Sequence, residues 1–489
     1  MSGAKADLVI RNARLIDGTG APSRSGDLAV VDDRIVALGE LNGIEAGREV
    51  EAGGRALAPG FIDAHTHDDR AVLADPLMTC KVSQGVTTVV TGNCGVSLAP
   101  LVTDTSPPPP MDLVCAGPAG YFADFGGYLD ALDRDPPALN VAAQVGHATL
   151  RVGAMDSLER AATAAEARAM RGALEASLEA GAIGFSTGLF YPPAQAAPTE
   201  EVIEIAKGLA AFHGLHSTHM RDEGDHILES LEESFRIGRE AGAPVVISHH
   251  KCGGQQNFGR SKETLALIDE ARGRQPLGLD VYPYVAGSTM LASGRALDAQ
   301  RIIVTWSKPR PEVAGRDLDG IAAELGVDRD AAVEALSPAG GIFFMMDEAD
   351  VQRILAYPHS MIGSDGLPHD EHPHPRLWGT FPRVLGHYAR ELGLFPLEEA
   401  VRKMTGLTAR QFGLKDRGVL REGAFADLVL FDPETVIDAA TFDDPKRPAP
   451  GIELVLVNGR PVWEAGAHSG ARPGRALRRQ DQDPPRAAA

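Results

Sequence analysis

Between Ala58 and about Leu414, eight short apolar runs alternate with helical patterns, and this alternation restricts the fold more than any other feature of the chain. The runs are "PGFIDA", "VTTVVTG", "NVAAQVG", "GAIGFST", "LHSTH", "PVVISHH", "LGLDVYP" and "SMIGSDG". Helical stretches such as "TAAEARAMRGALEASLEAG", "TEEVIEIAKGLAAFHG" and "ETLALIDEARGR" separate them. Such alternation marks βα units around a parallel sheet, and eight units predict an α/β fold, a TIM-like (β/α)8 barrel over residues 58–414.

The flanking segments read differently. Residues 1–57 and 415–475 alternate apolar with polar, as in "DLVIRNARLI" and "IELVLVNGRPVW", with an Asn458-Gly459 hairpin signal. Neither end can build a core alone, so they are expected to pair as one small β-sandwich domain made from both termini. The long connection after strand 7, residues 285–340, is expected to be a lid insertion over the barrel mouth. Residues 476–489, rich in Pro, Arg and Ala without periodicity, are expected to be disordered.

In a barrel of this kind the active site lies at the carboxyl ends of the strands. The runs end in His65 and His67, Asn93 and Cys94, His147, Ser186 and Thr187, His219, His249 and His250, Tyr282 and Tyr284, and Asp365. A lone buried histidine is usually a core residue, and His-x-His alone is weak. Several His, Cys and Asp groups at equivalent strand ends converge if the barrel closes, and point to a metal centre. A thiolate with two imidazoles suits zinc, and three protein ligands leave an open position for water. Asp365 is the expected proton carrier in hydrolysis, or else a fourth ligand or loop cap.

The 67 acidic against 47 basic residues, a net charge of -20, argue against nucleic acid or an anionic membrane as partner. No signal-peptide pattern or bilayer-length apolar stretch is present, so a cytoplasmic protein acting on a small molecule is expected, with its oligomeric state open. Four cysteines are too few for a disulfide framework in 489 residues; Cys252 reads as packing, and Cys80 and Cys115 have no partner motif.

The motifs "GFIDAHTHDD", "GVTTVVTGNCG", "GFSTGL", "STHMRDE", "VISHHKC" and "MIGSDGLPHDEHPHPRLWGTFPRVLG" resemble the D-aminoacylase family of the amidohydrolase superfamily over nearly the whole chain. The resemblance implies a zinc-dependent N-acyl-D-amino-acid deacylase. It assigns Cys94, His219 and His249 to a tight zinc ion, His65 and His67 to a second, weaker one, and Asp365 to proton transfer. Lys251, Tyr282 and Arg376 match positions that bind the substrate carboxylate, and Ser288 and Arg295 are candidates to reach its side chain. Met290 and Leu291 are expected as apolar contacts, so N-acetyl derivatives of D-methionine, D-leucine or D-phenylalanine are the expected substrates. Alternatives are a D-glutamate-specific deacylase, a dihydropyrimidinase-like or N-acyl sugar deacetylase activity, and a catalytically inactive assembly protein.

Overall fold

The structure, a computed structural model, describes residues 5–115, 117–295 and 299–486. Thus residues 1–4 of the small domain, 296–298 of the expected lid and 487–489 of the expected tail lie outside the described residues.

The first described strands are β1 (Lys5–Leu15), β2 (Arg24–Val31), β3 (Arg34–Gly39), β4 (Glu45–Glu51) and β5 (Ala56–Pro59). They join β18 (Leu428–Phe431), β19 (Ile452–Val457), β20 (Arg460–Glu464) and β21 (Ala467–His468) in one sheet of order β21-β20-β19-β18-β5-β1-β2-β3, with β4 beside β1. Both ends of the chain therefore share a sheet, as the alternation anticipated. Leu8, Ile10, Leu28, Val30, Leu428, Leu430, Leu454 and Leu456 meet in one buried cluster, while Val9 and Ala29 face another. The expected turn is present: Asn458 and Gly459 both have positive φ, 46° and 76°, between antiparallel β19 and β20.

All eight apolar runs of the central region contain strands. They are β6 (Phe61–Asp63), β7 (Val86–Thr91), β8 (Asn140–Ala143) with β9 (Val145–Gly146), β10 (Gly184–Gly188), β11 (Leu215–His219), β12 (Val245–Ile247), β13 (Leu277–Val281) and β17 (Ser360–Ile362). Two parallel sheets result, β6-β7-β8 and β9-β10-β11-β12-β13-β17. Gln144 alone separates β8 from β9; its side chain leaves the apolar pattern to bond Asn93 Oδ1 at 3.0 Å and accept from Ser217 Oγ at 2.7 Å. At the other margin the Ala64 N–H donates to Ile362 O at 3.1 Å and the Asp365 N–H to His65 O at 2.8 Å. Inward residues Ile62, Val90, Ala142, Leu215, Val246 and Met361, one from each of six strands, form a single buried cluster with Ile183, which directly precedes β10.

Helices cover these strands for local reasons. Ala164–Ala180 starts with a capping box, the Thr163 side chain accepting from the Glu166 N–H and Glu166 returning the contact to the Thr163 N–H. It buries Met170, Leu174 and Leu178 on one face. No helix among the described residues is long and apolar enough to cross a membrane.

The region expected to form a lid, residues 285–340, holds more than a connection. Beside the helices Leu318–Leu325 and Arg329–Leu336 it carries an antiparallel sheet of order β14-β16-β15, formed by β14 (Ala286–Met290), β15 (Arg301–Ser307) and β16 (Ala339–Phe344). The sheet was missed because β16 spans only six residues and starts "AGG", which carries no periodic signal. The tail is a second correction. Over residues 476–486 the chain is packed, not free: Leu477 is 5% exposed in the cluster of inward strand residues, and its N–H donates to Val141 O at 2.8 Å. Burial of that one leucine outweighs the polar composition around it.

Candidate metal centre

Polar side chains collect where the parallel strands end. Cys94, His249 and Asp365 all have left-handed backbone, φ 52°, 36° and 49°, which costs a non-glycine residue on the order of 1–3 kcal/mol and marks positions held by their surroundings. The holders are visible. Asn93 Nδ2 donates to Val90 O at 2.9 Å and Thr66 O at 3.2 Å, fixing the turn that presents Cys94. Gly188 has no Cβ because one would sit 2.2 Å from Cys94 O. The His249 N–H donates to Asp280 Oδ1 at 2.8 Å.

Cys94 Sγ lies 3.3 Å from His65 Nε2 and 3.3 Å from His249 Nε2. Asp365 Oδ1 is 3.4 Å from His65 Nε2 and 3.3 Å from His67 Nε2. The donor atoms of His65, Cys94, His249 and Asp365 all fall within 4.8 Å of one another, and those of His219, Glu223 and His249 form a second such group. The rings of His219 and His249 are 4.5 Å apart. All five histidine and cysteine candidates and Asp365 thus share one cluster, although the tightest quartet contains His65 and Asp365 in place of His219. His219 is buried with neither ring nitrogen hydrogen-bonded, an arrangement that costs free energy unless something ligates it. A thiolate, imidazoles and an unpaired buried imidazole in one cluster fit a divalent ion such as zinc.

The electrostatics favour anions at the centre. Burial pushes the Cys94 thiol up, but His65 and His249 outweigh it and hold it well below the ordinary thiol range. Burial likewise opposes ionisation of Asp365, and Arg376, His249 and His65 overcome it, keeping the carboxyl well below the usual carboxylate range. Arg376 Nη1 is 2.8 Å from Asp365 Oδ2.

His67, Cys94, His219, His249 and Asp365 line one cavity, whose other walls include Lys251, Tyr282, Ser288 and Arg295. Arg376 is not on this wall. It is fully buried behind Asp365, stacks on the Tyr282 ring at 4.5 Å and donates to Ser288 O at 3.3 Å, so its charge is committed to Asp365. Nor do Met290 and Leu291 line the cavity; apolar lining comes instead from Phe343 on β16 and Met345 just after it, beyond the expected lid.

Glu223 was not singled out from the sequence, yet it organises the cationic wall. Its Oε1 accepts from Lys251 Nζ at 2.6 Å and faces His249 Nδ1 at 3.0 Å, while Oε2 accepts from Arg295 Nη2 at 2.7 Å. The signal was present in "STHMRDE", an acid four residues after His219. Asp280 was also passed over. It faces His65 Nδ1 at 3.4 Å, and an acid inside the apolar run "LGLDVYP" needed a buried partner.

Residues 48–275 and 275–463 match the family model described as Amidohydrolase family. The chain is 60% identical over 473 residues to a D-aminoacylase of Alcaligenes xylosoxydans xylosoxydans, covering 97% of this chain and 98% of the relative. Among solved structures it matches a D-aminoacylase at TM-score 0.95 and 57% identity, over 97% of this chain and 100% of the other; that work concerns its binuclear metal centre, with one-metal activation and second-metal attenuation. It also matches the N-acyl-D-glutamate deacylase of Bordetella bronchiseptica complexed with zinc and a phosphonate mimic of the tetrahedral intermediate, at TM-score 0.94 and 49% identity over 97% and 100% of the two chains. Matched over most of its length in each comparison, the chain belongs to the amidohydrolase family, among its D-aminoacylases and related deacylases.

Proposed function

We propose that this protein is a zinc-dependent hydrolase that splits N-acyl-D-amino acids into a carboxylate and the free D-amino acid. The observation that carries the reading is the Cys94, His219 and His249 donor set beside the ionised Asp365, in a cavity whose other wall holds Lys251 and Arg295. The 60% identity to a D-aminoacylase supports it independently. The two parallel sheets are read as one closed (β/α)8 barrel, residues 58–414, with the lid at 285–340 and the small domain at 1–57 and 415–475. Four free, buried cysteines suit a reducing compartment, hence the cytoplasm.

Cys94, His219 and His249 would hold the tight ion, and His65 and His67 a second, weaker one. A zinc ion there supplies Lewis acidity to the amide carbonyl and lowers the pKa of a water towards 7. Asp365 Oδ1 takes the proton of the attacking water and then delivers it to the amine nitrogen as the C–N bond breaks. Arg376 fixes the aim of that carboxylate through its contact with Oδ2. Lys251, Tyr282, Ser288 and Arg295 take the substrate carboxylate; Glu223 holds the two cations in place beforehand.

With the carbonyl and the carboxylate both fixed, the α-carbon side chain has one direction left for each enantiomer, so only one hand fits. The apolar Phe343 and Met345 favour apolar D-side chains such as those of methionine, leucine and phenylalanine. Arg295 would favour the second reading, a D-glutamate preference, if it faced the side chain and not the α-carboxylate. A panel of N-acetyl-D- and L-amino acids with amine release measured at neutral pH tests both. Turnover of N-acetyl-D-methionine above N-acetyl-D-glutamate in kcat/KM supports the apolar preference, and the reverse order refutes it. Equal rates on L-substrates refute the geometric argument.

A further inference from the structure

The loop that follows β7 covers the same cavity from the other side. Its base is tied by two hydrogen bonds, the Leu101 N–H to Phe122 O and the Phe122 N–H to Leu98 O, each 2.8 Å. The Ser97 hydroxyl donates to Ala99 O at 2.6 Å just before the tie, and its N–H donates to Thr149 Oγ1 at 2.9 Å. Within the loop the Tyr121 hydroxyl reaches back to Cys115 O at 3.2 Å. A short 3-10 turn, Met111–Leu113, buries Met111. The tie turns Pro110, Leu113 and Val114 onto the cavity beside Val96, which lies two residues beyond Cys94. These four side chains carry no polar group. Leu113 and Val114 are nearly buried, at 9% and 2% exposure, and both line the cavity that Cys94, His219 and His249 also line.

The strand order decides what that occupant is. From β7 the sheets run through β8 and β9, then β10 and β11, to β12, so this loop and Lys251 after β12 lie four strands apart, on opposite sides of the proposed eight-stranded barrel. In a trans amide the acyl substituent and the α-carbon lie on opposite sides of the C–N bond. If Lys251 and Arg295 hold the amino-acid carboxylate and the ligand cluster holds the carbonyl, the acyl chain points at Val96, Pro110, Leu113 and Val114.

We infer that these four residues form the acyl-group site, with Leu113 and Val114 setting the length of acyl chain the enzyme accepts. The inference rests on the proposed hydrolysis of N-acyl-D-amino acids. It assigns the two ends of the substrate to separate walls: the loop after β7 reads the acyl group, and the lid with Lys251 and Arg295 reads the amino acid.

The test compares kcat/KM for N-acetyl-, N-butyryl- and N-hexanoyl-D-methionine in the native enzyme, Leu113→Ala, Val114→Ala and Leu113→Trp, all zinc-loaded. One methylene in an apolar pocket discriminates roughly 10- to 200-fold. The hexanoyl-to-acetyl ratio is therefore expected to rise at least about tenfold in the alanine variants and to fall by a similar factor in the tryptophan variant. The ratio of N-acetyl-D-methionine to N-acetyl-D-glutamate should move less than about twofold. Acyl ratios unchanged in every folded variant, or altered only together with the D-side-chain ratio, overturn the inference while leaving the hydrolysis intact. No release from any N-acyl-D-amino acid by the native enzyme overturns the proposed function itself. Because enlarging and shrinking variants predict opposite shifts, failure of one to fold leaves the other decisive.

Discussion

Asp365 is tied to its place by a left-handed backbone, its N–H bond to His65 O and the fully buried Arg376. None of these contacts passes through Cys94 or His219, so Asp365→Ala should keep its zinc while losing both the base and the acid step. Each step is worth roughly 10²- to 10⁴-fold. Metal analysis beside kcat checks the prediction, and a zinc-replete variant with most of its rate would remove Asp365 from the mechanism. At this scale the sequence was most informative about which strand ends meet, since Cys94, His219 and His249 line one cavity. It was least informative for groups whose role is to hold others. Glu223 and Asp280 each acquire meaning only when elements distant in sequence meet, as Glu223 meets Lys251 and Arg295. Arg376 shows the same in reverse: its charge suggested a carboxylate of the substrate, and the fold spends it on a carboxylate of the protein.

At the scale of elements, the join between the terminal sheet and the parallel strands depends on a buried polar cluster. Arg417 pairs with Asp427, which precedes β18, and donates to Asn458 Oδ1 at 3.1 Å. Asp427 Oδ2 also accepts from Asn140 Nδ2 of β8 at 3.2 Å, and Asn458 Nδ2 donates to Asn140 Oδ1 at 2.8 Å. Both charged side chains are almost wholly buried, at 2% and 3% exposure. Arg417→Ala leaves Asp427 charged and unpaired, which typically costs about 3–5 kcal/mol. Urea unfolding followed by circular dichroism measures it; a loss under about 1 kcal/mol would mean the cluster does not hold the join. The eight parallel strands were legible because their apolar runs are bounded by helices and end in polar residues. The lid sheet and the loop after β7 were not, because their strands and turns are short and their partners lie far along the chain. Strand β15, for example, pairs with β16 more than thirty residues later.

Over the whole molecule, the two ends of the chain do different work. The amino-terminal strands complete a sheet with β18 to β21, while the carboxyl-terminal segment runs under the parallel strands. There Leu477 joins the strand residues Ile62, Val90, Leu215 and Val246, together with Ile183 and Phe412, in one buried cluster. Leu477→Ala should cost about 2–5 kcal/mol, as deletion of a buried leucine does. An unchanged unfolding midpoint would show that the segment adds nothing to the core. Composition misread this tail because one apolar residue in a proline- and arginine-rich stretch carries no periodicity, though it can still fill a core. In the proposed function, Cys94, His219 and His249 hold zinc for hydrolysis of one enantiomer. The most direct measurement follows zinc content and the rate on N-acetyl-D- and N-acetyl-L-methionine after chelation and after stepwise return of zinc, in the native protein and Cys94→Ala. Activity is expected on the D-substrate alone, rising with the first zinc per chain and absent in Cys94→Ala, which fails to retain the ion; full activity in zinc-free protein, or equal turnover of both enantiomers, would contradict the proposed function.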